Sequence, residues 1–223
     1  YIGRLGDGSH PEDGIYILFK EVIDNSIDEY IMGHGKSIVM TCDYATKTIS
    51  VRDYGRGIPL GKMLDCVQQI NTGAKYNDDV FQFSVGLNGV GLKAVNALSS
   101  HFFVRSVREG KYVEASFCRG LLVKKQEGAS SEKNGTYVEF TPDEQIFSTF
   151  NFSDEYMKKR VKYYSFLNSG LSLVYNGETF ISERGLLDLL ESEVEEERLY
   201  EPLYAKTLHT EFAVLHSPHY GED

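Results

Sequence analysis

The spacing of apolar residues changes period several times along the chain. From Pro11-Glu-Asp13 to about Ile31 they recur at three- and four-residue steps, which predicts a helix, and the early acids suit its N-terminus. At roughly 100° per residue, Phe19, Val22, Ile23, Ile27, Tyr30 and Ile31 form one side, to be buried against a sheet. Glu21, Asn25, Asp28 and Glu29 fall together in the opposite, polar sector. Lys36 to Thr41 and Thr46 to Val51 then alternate around a turn as a hairpin does, and Asp53-Tyr-Gly-Arg-Gly-Ile-Pro59 breaks the alternation with a loop. A short helix is expected over Leu60 to Ile70, a Gly- and Asp-containing stretch over Thr72 to Gly91, and a helix over Leu92 to Leu98.

Beyond residue 100 the period drops to two. His101 to Val107, Lys111 to Phe117, Gly120 to Lys125 and Gly135 to Thr141 read as strands of an antiparallel meander. Asp154 to Leu167 returns to helical spacing, short strands follow around Leu171 to Ile181, and Glu183 to about Leu190 is helical again. The acidic run Glu191-Ser-Glu-Val-Glu-Glu-Glu197 reads as a solvated helix end near a boundary. Residues 1–200 are therefore expected to form one domain. Residues 201–223, with a strand from His209 to His216, lead into another, and both termini look like cut points. No internal repeat is visible.

Charge narrows the function. A net charge of −10 over 223 residues argues against a large nucleic-acid surface on this stretch, because such affinity rests on Lys and Arg releasing counterions. Cys42, Cys66 and Cys118 lack metal-type spacing and read as reduced thiols of a cytoplasmic protein. Apolar runs such as Ile15-Tyr-Ile-Leu-Phe19 are too short to span a bilayer, and no signal pattern opens the chain.

Three segments carry candidate chemistry. The polar sector of the first helix is one. At Asp53, a carboxylate at a strand end is followed by glycines that let a flat ligand approach the backbone, and an ionised Asp, which only accepts hydrogen bonds, favours a ring bearing an amino group, as adenine does. In Ser84-Val-Gly-Leu-Asn-Gly-Val-Gly91 the glycines expose N–H groups ahead of a helix, an arrangement suited to a polyphosphate. Taken alone, the helix reads first as an ordinary surface helix, the Asp53 segment balances evenly against a plain loop, and a lone glycine-rich stretch is a weak signal.

Together these segments resemble the GHKL ATPases, and within them the B subunits of type IIA DNA topoisomerases, gyrase and topoisomerase IV. Glu21-Val-Ile-Asp-Asn-Ser-Ile-Asp-Glu29 is similar to the family's first motif, Asp53 to Pro59 to its second, Gly86 to Gly91 with Val95-Asn-Ala-Leu-Ser99 to its third, and Asn134-Gly-Thr136 to its fourth. The resemblance implies a two-layer α/β sandwich, the Bergerat fold, with a mixed, mainly antiparallel sheet. It implies ATP and Mg²⁺ as ligands, Glu21 as the general base acting on water, and Asn25 as the Mg²⁺ ligand, with Asp28 and Glu29 beside them. Asp53 would accept from the adenine amino group, Thr136 would support it through a water, and Gly57, Ile58 and Pro59 would line the ring. Lys75 and the backbone of Gly86, Leu87, Asn88, Gly89, Val90 and Gly91 would meet the phosphates. Glu29 and Arg108, with Arg56 over the pocket, would form an ion-paired rim. The implied partners are DNA, an A-type subunit and a second B-type chain that closes a clamp on ATP binding. An isolated fragment would be a weakly hydrolysing monomer. Ile17, Tyr54, Phe81 and Asn88 depart from the commonest bacterial pattern.

Two other readings compete. Gly33-His-Gly-Lys-Ser37 looks like the tail of a P-loop, but Tyr30 stands where that motif needs Gly. Gly89-Val-Gly-Leu-Lys-Ala94, with Glu109 downstream, fits a dinucleotide-binding fingerprint and would make the protein an NAD-dependent oxidoreductase. That reading leaves Glu21, Asn25 and Asp53 without roles. A third class is an ATP-sensing module that does not hydrolyse.

Overall fold

The computed structural model describes residues 4–68, 90–194, 199–207 and 210–216. The first helix, α1, spans Gly14–Ile31 and buries Phe19, Val22, Ile23 and Ile27, the side that the apolar period marks. It starts later than the acids suggest, and its first turn contains none. Asp13 is fully buried instead, where its carboxylate accepts from the amides of Gly8 at 2.9 Å and His10 at 3.2 Å. Those loop amides take the carboxylate that the helix N-terminus would otherwise have used.

The hairpin forms as expected, from β1 (Ser37–Asp43) and β2 (Thr48–Asp53). A 3₁₀ turn at Leu60–Lys62 leads into α2 (Met63–Gln68), and α3 covers Gly91–Ala97. Then come β3 (Ser99–Arg108), β4 (Lys111–Cys118), β5 (Leu121–Ala129) and β6 (Gly135–Pro142). A short α4 (Glu144–Phe147), which no sequence period announces, precedes α5 (Asp154–Leu167), β7 (Ser172–Tyr175) and β8 (Glu178–Phe180). The chain continues through α6 (Leu186–Glu193), β9 (Leu203–Lys206) and β10 (Glu211–Val214).

Eight strands make one sheet in the order β5-β4-β3-β6-β2-β1-β7-β8, antiparallel at every pairing except the parallel β1–β7 contact. With helices packed on it, this is the mixed, mainly antiparallel α/β architecture that the motifs imply. The expected four-strand meander needs one correction, because β6 does not continue outward from β5 but returns to lie between β3 and β2. Burial explains the detour. Beyond β5, whose nine residues are all exposed, Val138 and Phe140 would face water, whereas between β3 and β2 they sit beside Phe102, Val104, Ile49 and Val51 in the core.

Helices α1, α3 and α5 pack on the sheet. The buried apolar side chains of β1, β2 and β6 fall at alternate positions, as expected of a sheet with one covered face. The single strand expected over 209–216 is instead half of an antiparallel hairpin, β9–β10, with β10 against α6. All three cysteines are free; Cys42 is buried, and burial pushes its thiol up to about 12. Among the described residues no helix is long and apolar enough to cross a membrane.

Candidate functional site

Asp53 ends β2, and strand alternation points its side chain toward α1, where only 4% of the residue is exposed. Its Oδ1 accepts from the amide of Gly55 at 2.9 Å and of Thr136 at 3.2 Å, while among the described residues Oδ2 receives only a long contact from Ser26 Oγ at 3.4 Å. Burial pushes the carboxyl up to about 6, against the opposing pull of the two amides and of the Arg52 charge. The arrangement fixes one oxygen and leaves the other with capacity for a further donor. Gly135 makes the approach of β6 possible, since its φ is +136° and an added Cβ would lie 2.2 Å from the Asp53 carbonyl oxygen. The Thr136 amide thus meets Asp53 directly.

Glu21 and Asn25 stand one turn apart on α1, and the Asn25 amide nitrogen donates to the Glu21 carbonyl. That commitment leaves the Asn25 side-chain oxygen as the atom suited to a hard cation, and the residue is exposed. The Glu21 carboxylate lies against the first residue of α3, because a Cβ on Gly91 would be 2.3 Å from Glu21 Oε2. The acid on α1 therefore meets the point where the glycine-rich stretch enters α3. Val90 occupies the N-cap of α3, its carbonyl accepting from Ala94 at 2.9 Å. Asp28 is buried on the same helix, 4% exposed.

The rim is built from Glu29 and Arg56. Glu29 Oε2 accepts from the Arg56 amide at 2.7 Å and from Nε at 3.1 Å, and Oε1 from Nη2 at 2.9 Å. Burial raises the Glu29 carboxyl, but hydrogen bonds and charge from Arg56 outweigh it and hold the group below its usual range. Arg108 does not join this pair: its Nη1 donates to the Gly57 carbonyl at 3.1 Å. Ile58 packs against the core and its carbonyl accepts from Ser106 Oγ at 2.7 Å, while Pro59 caps the 3₁₀ turn. These bonds brace the Gly57–Pro59 backbone beside Asp53.

The structure thus gathers Glu21, Asn25, Asp28, Glu29, Asp53, Arg56, Gly57, Ile58, Pro59, Val90, Gly91, Arg108 and Thr136 around α1 and the ends of β2, β3 and β6. Lys75, Gly86, Leu87, Asn88 and Gly89, with the departure at Phe81, lie outside the described residues. Sequence reasoning gave no role to Ser26 or Ser106, although a hydroxyl on the buried flank of an otherwise apolar helix or strand is a readable sign of a polar partner.

An acceptor buried at a strand end, an acid and an amide one turn apart on the facing helix, and a glycine-led helix against that acid define a class of nucleotide-hydrolysing domain. Residues 10–146 match the family of histidine kinase-, DNA gyrase B- and HSP90-like ATPases, and the chain belongs to that family. This membership removes the dinucleotide oxidoreductase reading.

The chain is 56% identical over its 223 residues to the B subunit of DNA topoisomerase 4 from Borreliella burgdorferi, covering 100% of this chain and 37% of that protein. It is 32% identical over a 246-residue alignment to the B subunit of DNA gyrase from Thermus thermophilus, covering 100% of this chain and 38% of that protein. The chain therefore spans little more than a third of these relatives. The crystal structure of the 43K ATPase domain of Thermus thermophilus gyrase B in complex with an aminocoumarin is similar at a TM-score of 0.77 and 28% identity, over 96% of this chain and 58% of that one.

Proposed function

We propose that this chain is the ATP-binding and ATP-hydrolysing part of the B subunit of a type IIA DNA topoisomerase, of the topoisomerase IV kind. The observation that carries the ATP reading is the junction across α1: Asp53 held by Gly55, Thr136 and Ser26 at one end, and Glu21 set against Gly91 at the other. The choice of topoisomerase IV is supported by the 56% identity to that relative.

In this reading Asp53 Oδ2 accepts a hydrogen bond from the adenine amino group, and Gly57, Ile58 and Pro59 border the ring. Arg56, locked to Glu29, and Arg108, locked to Gly57, form the outer edge. Glu21 orients a water and takes its proton as the water attacks the terminal phosphorus, whose bond to the bridging oxygen breaks to release ADP. The exposed Asn25 oxygen fits Mg²⁺, which when bound neutralises phosphate charge. Lys75 and the amides from Gly86 to Gly91 complete the phosphate contacts. In the full enzyme, ATP closes two B subunits into a clamp around DNA, alongside an A-type subunit, in the cytoplasm.

Two substitutions separate the roles. Glu21→Ala in a full-length subunit keeps ATP binding and loses turnover by about 10²–10⁴-fold, the usual contribution of a general base. Asp53→Asn loses adenine affinity, read by calorimetry with Mg-ATP. Normal turnover in Glu21→Ala would mean that Glu21 is not the base, and absence of turnover in the wild-type full-length subunit would favour an ATP-sensing module. With an A-type partner, decatenation exceeding supercoiling supports topoisomerase IV, and the reverse supports gyrase.

A further inference from the structure

Asp53 is approached from two sides, an inner one facing α1 and an outer one. Strand alternation places Arg52 on the other face of β2, behind the carboxylate. Its Nη2 donates to the Lys133 carbonyl at 2.7 Å, its guanidinium lies 4.9 Å from the centre of the Tyr54 ring, and its Nη1 is buried with no hydrogen-bond partner among the described residues. A Cβ on Gly135 would come within 2.6 Å of that Nη1, so the guanidinium lies close against the backbone at which β6 begins. The residue after Gly135 supplies the amide that holds Asp53 Oδ1.

We propose that Arg52, shelved on Tyr54, is a positioning residue for base recognition: it fastens the loop entering β6 to the end of β2, and so holds the Thr136 amide on Asp53. The inference rests on the reading that Asp53 accepts from adenine. Three features support it. A planar guanidinium presents its fork to a carbonyl while its face rests near a ring, as Arg52 does here. A buried donor without a partner is a cost that persists only where the neighbouring contacts outweigh it. The Arg52 charge also counteracts the burial that raises Asp53, so the same side chain favours the acceptor form.

The test compares Mg-ATP with Mg-inosine triphosphate on the 223-residue chain by calorimetry. Inosine carries a carbonyl where adenine carries the amino group, so an ionised Asp53 discriminates against it. Wild type prefers ATP. In Arg52→Ala the ATP affinity falls by about tenfold, the size of a lost hydrogen bond to a charged group, and the inosine triphosphate affinity stays within about twofold. Tyr54→Ala, which removes only the shelf, lowers the same ratio by a smaller factor and serves if Arg52→Ala fails to fold. An unchanged ratio in both variants overturns the proposal, and so does an equal loss for the two nucleotides, which marks a general structural defect. If wild type shows no preference for ATP, the assignment of Asp53 is what fails.

Discussion

At the residue scale, the unusual group is a carboxyl that has to be ionised to work yet is buried where ionisation is costly. Asp53 is raised to about 6 from an ordinary 3.8, by burial above all. Below pH 3.8 both folded and unfolded chains hold the proton, and between 3.8 and 6 only the folded chain keeps it. The stability associated with the protonated form is therefore lost as pH rises through about 6, and at neutral pH the ligand-free fold carries a penalty. Adenine recognition has the opposite sign, because the acceptor is the ionised form. The ratio of ATP to inosine triphosphate affinity, in which phosphate titration cancels, is expected to fall by about tenfold per pH unit below the folded value. In Asp53→Asn the ratio is flat from about pH 5 to 8, and the ligand-free variant melts no lower than wild type at about pH 8. A ratio that stays constant in wild type would show that Asp53 does not read the base. The need for a carboxylate here was legible, since Asp-x-Gly-x-Gly at a strand end is visible in the sequence. The direct Thr136 amide was not, because it depends on β6 lying beside β2.

At the scale of elements, local periodicity specified what each segment is, and long-range burial specified where it goes. The period of three and four across Phe19, Val22, Ile23 and Ile27 produced the α1 face, and the alternation either side of Asp43 and Thr48 produced the first hairpin. The position of β6 was hidden because a meander and a returning strand share the same alternation; what separates them is which neighbours bury Val138 and Phe140. The start of α1 was displaced because Asp13 found partners in the loop before it. The meeting of α1 with α3 is likewise a tertiary fact with a local consequence. A methyl group at position 91 would lie 2.3 Å from Glu21 Oε2 and 3.3 Å from its Cδ, so the carboxylate must turn away to admit it. Gly91→Ala in a full-length subunit is expected to lower kcat by about tenfold or more, since displacing a reacting group by about 1 Å can cost 10²-fold. ATP affinity is expected to fall less than kcat does, since the substitution keeps the Gly91 amide that meets the phosphates and leaves Asp53 at the other end of the site untouched. Steady-state kinetics beside calorimetry separates the two, and an unaltered kcat would show that Glu21 does not act from that position.

Across the whole molecule, the core ends before the chain does. Among the described residues the fully buried cluster runs from Ile15 to Tyr175, and nothing from Leu186 onward belongs to it. The C-terminal segment instead leaves Leu199, Leu203, Tyr204, Phe212 and Val214 between 40% and 63% exposed, and its hairpin packs on α6. The acidic run at 191–197 suggests a boundary near residue 200, and we propose the edge of the ATP-binding unit there. Every described site residue lies between Glu21 and Thr136, on elements that the sheet joins without help from β9 or β10. A chain shortened to residues 1–194 is therefore expected to fold cooperatively and to bind Mg-ATP with the affinity of the 223-residue chain. Its melting temperature should stay within about 4 °C, since about 1 kcal/mol shifts a domain of this size by 2–4 °C and the removed side chains were half in water already. Removing that apolar surface should also reduce self-association, read by light scattering. A drop well beyond that range, or a loss of ATP binding, would mean that the hairpin holds α6 onto α5 and through it the sheet, and the boundary would then have to move past residue 216.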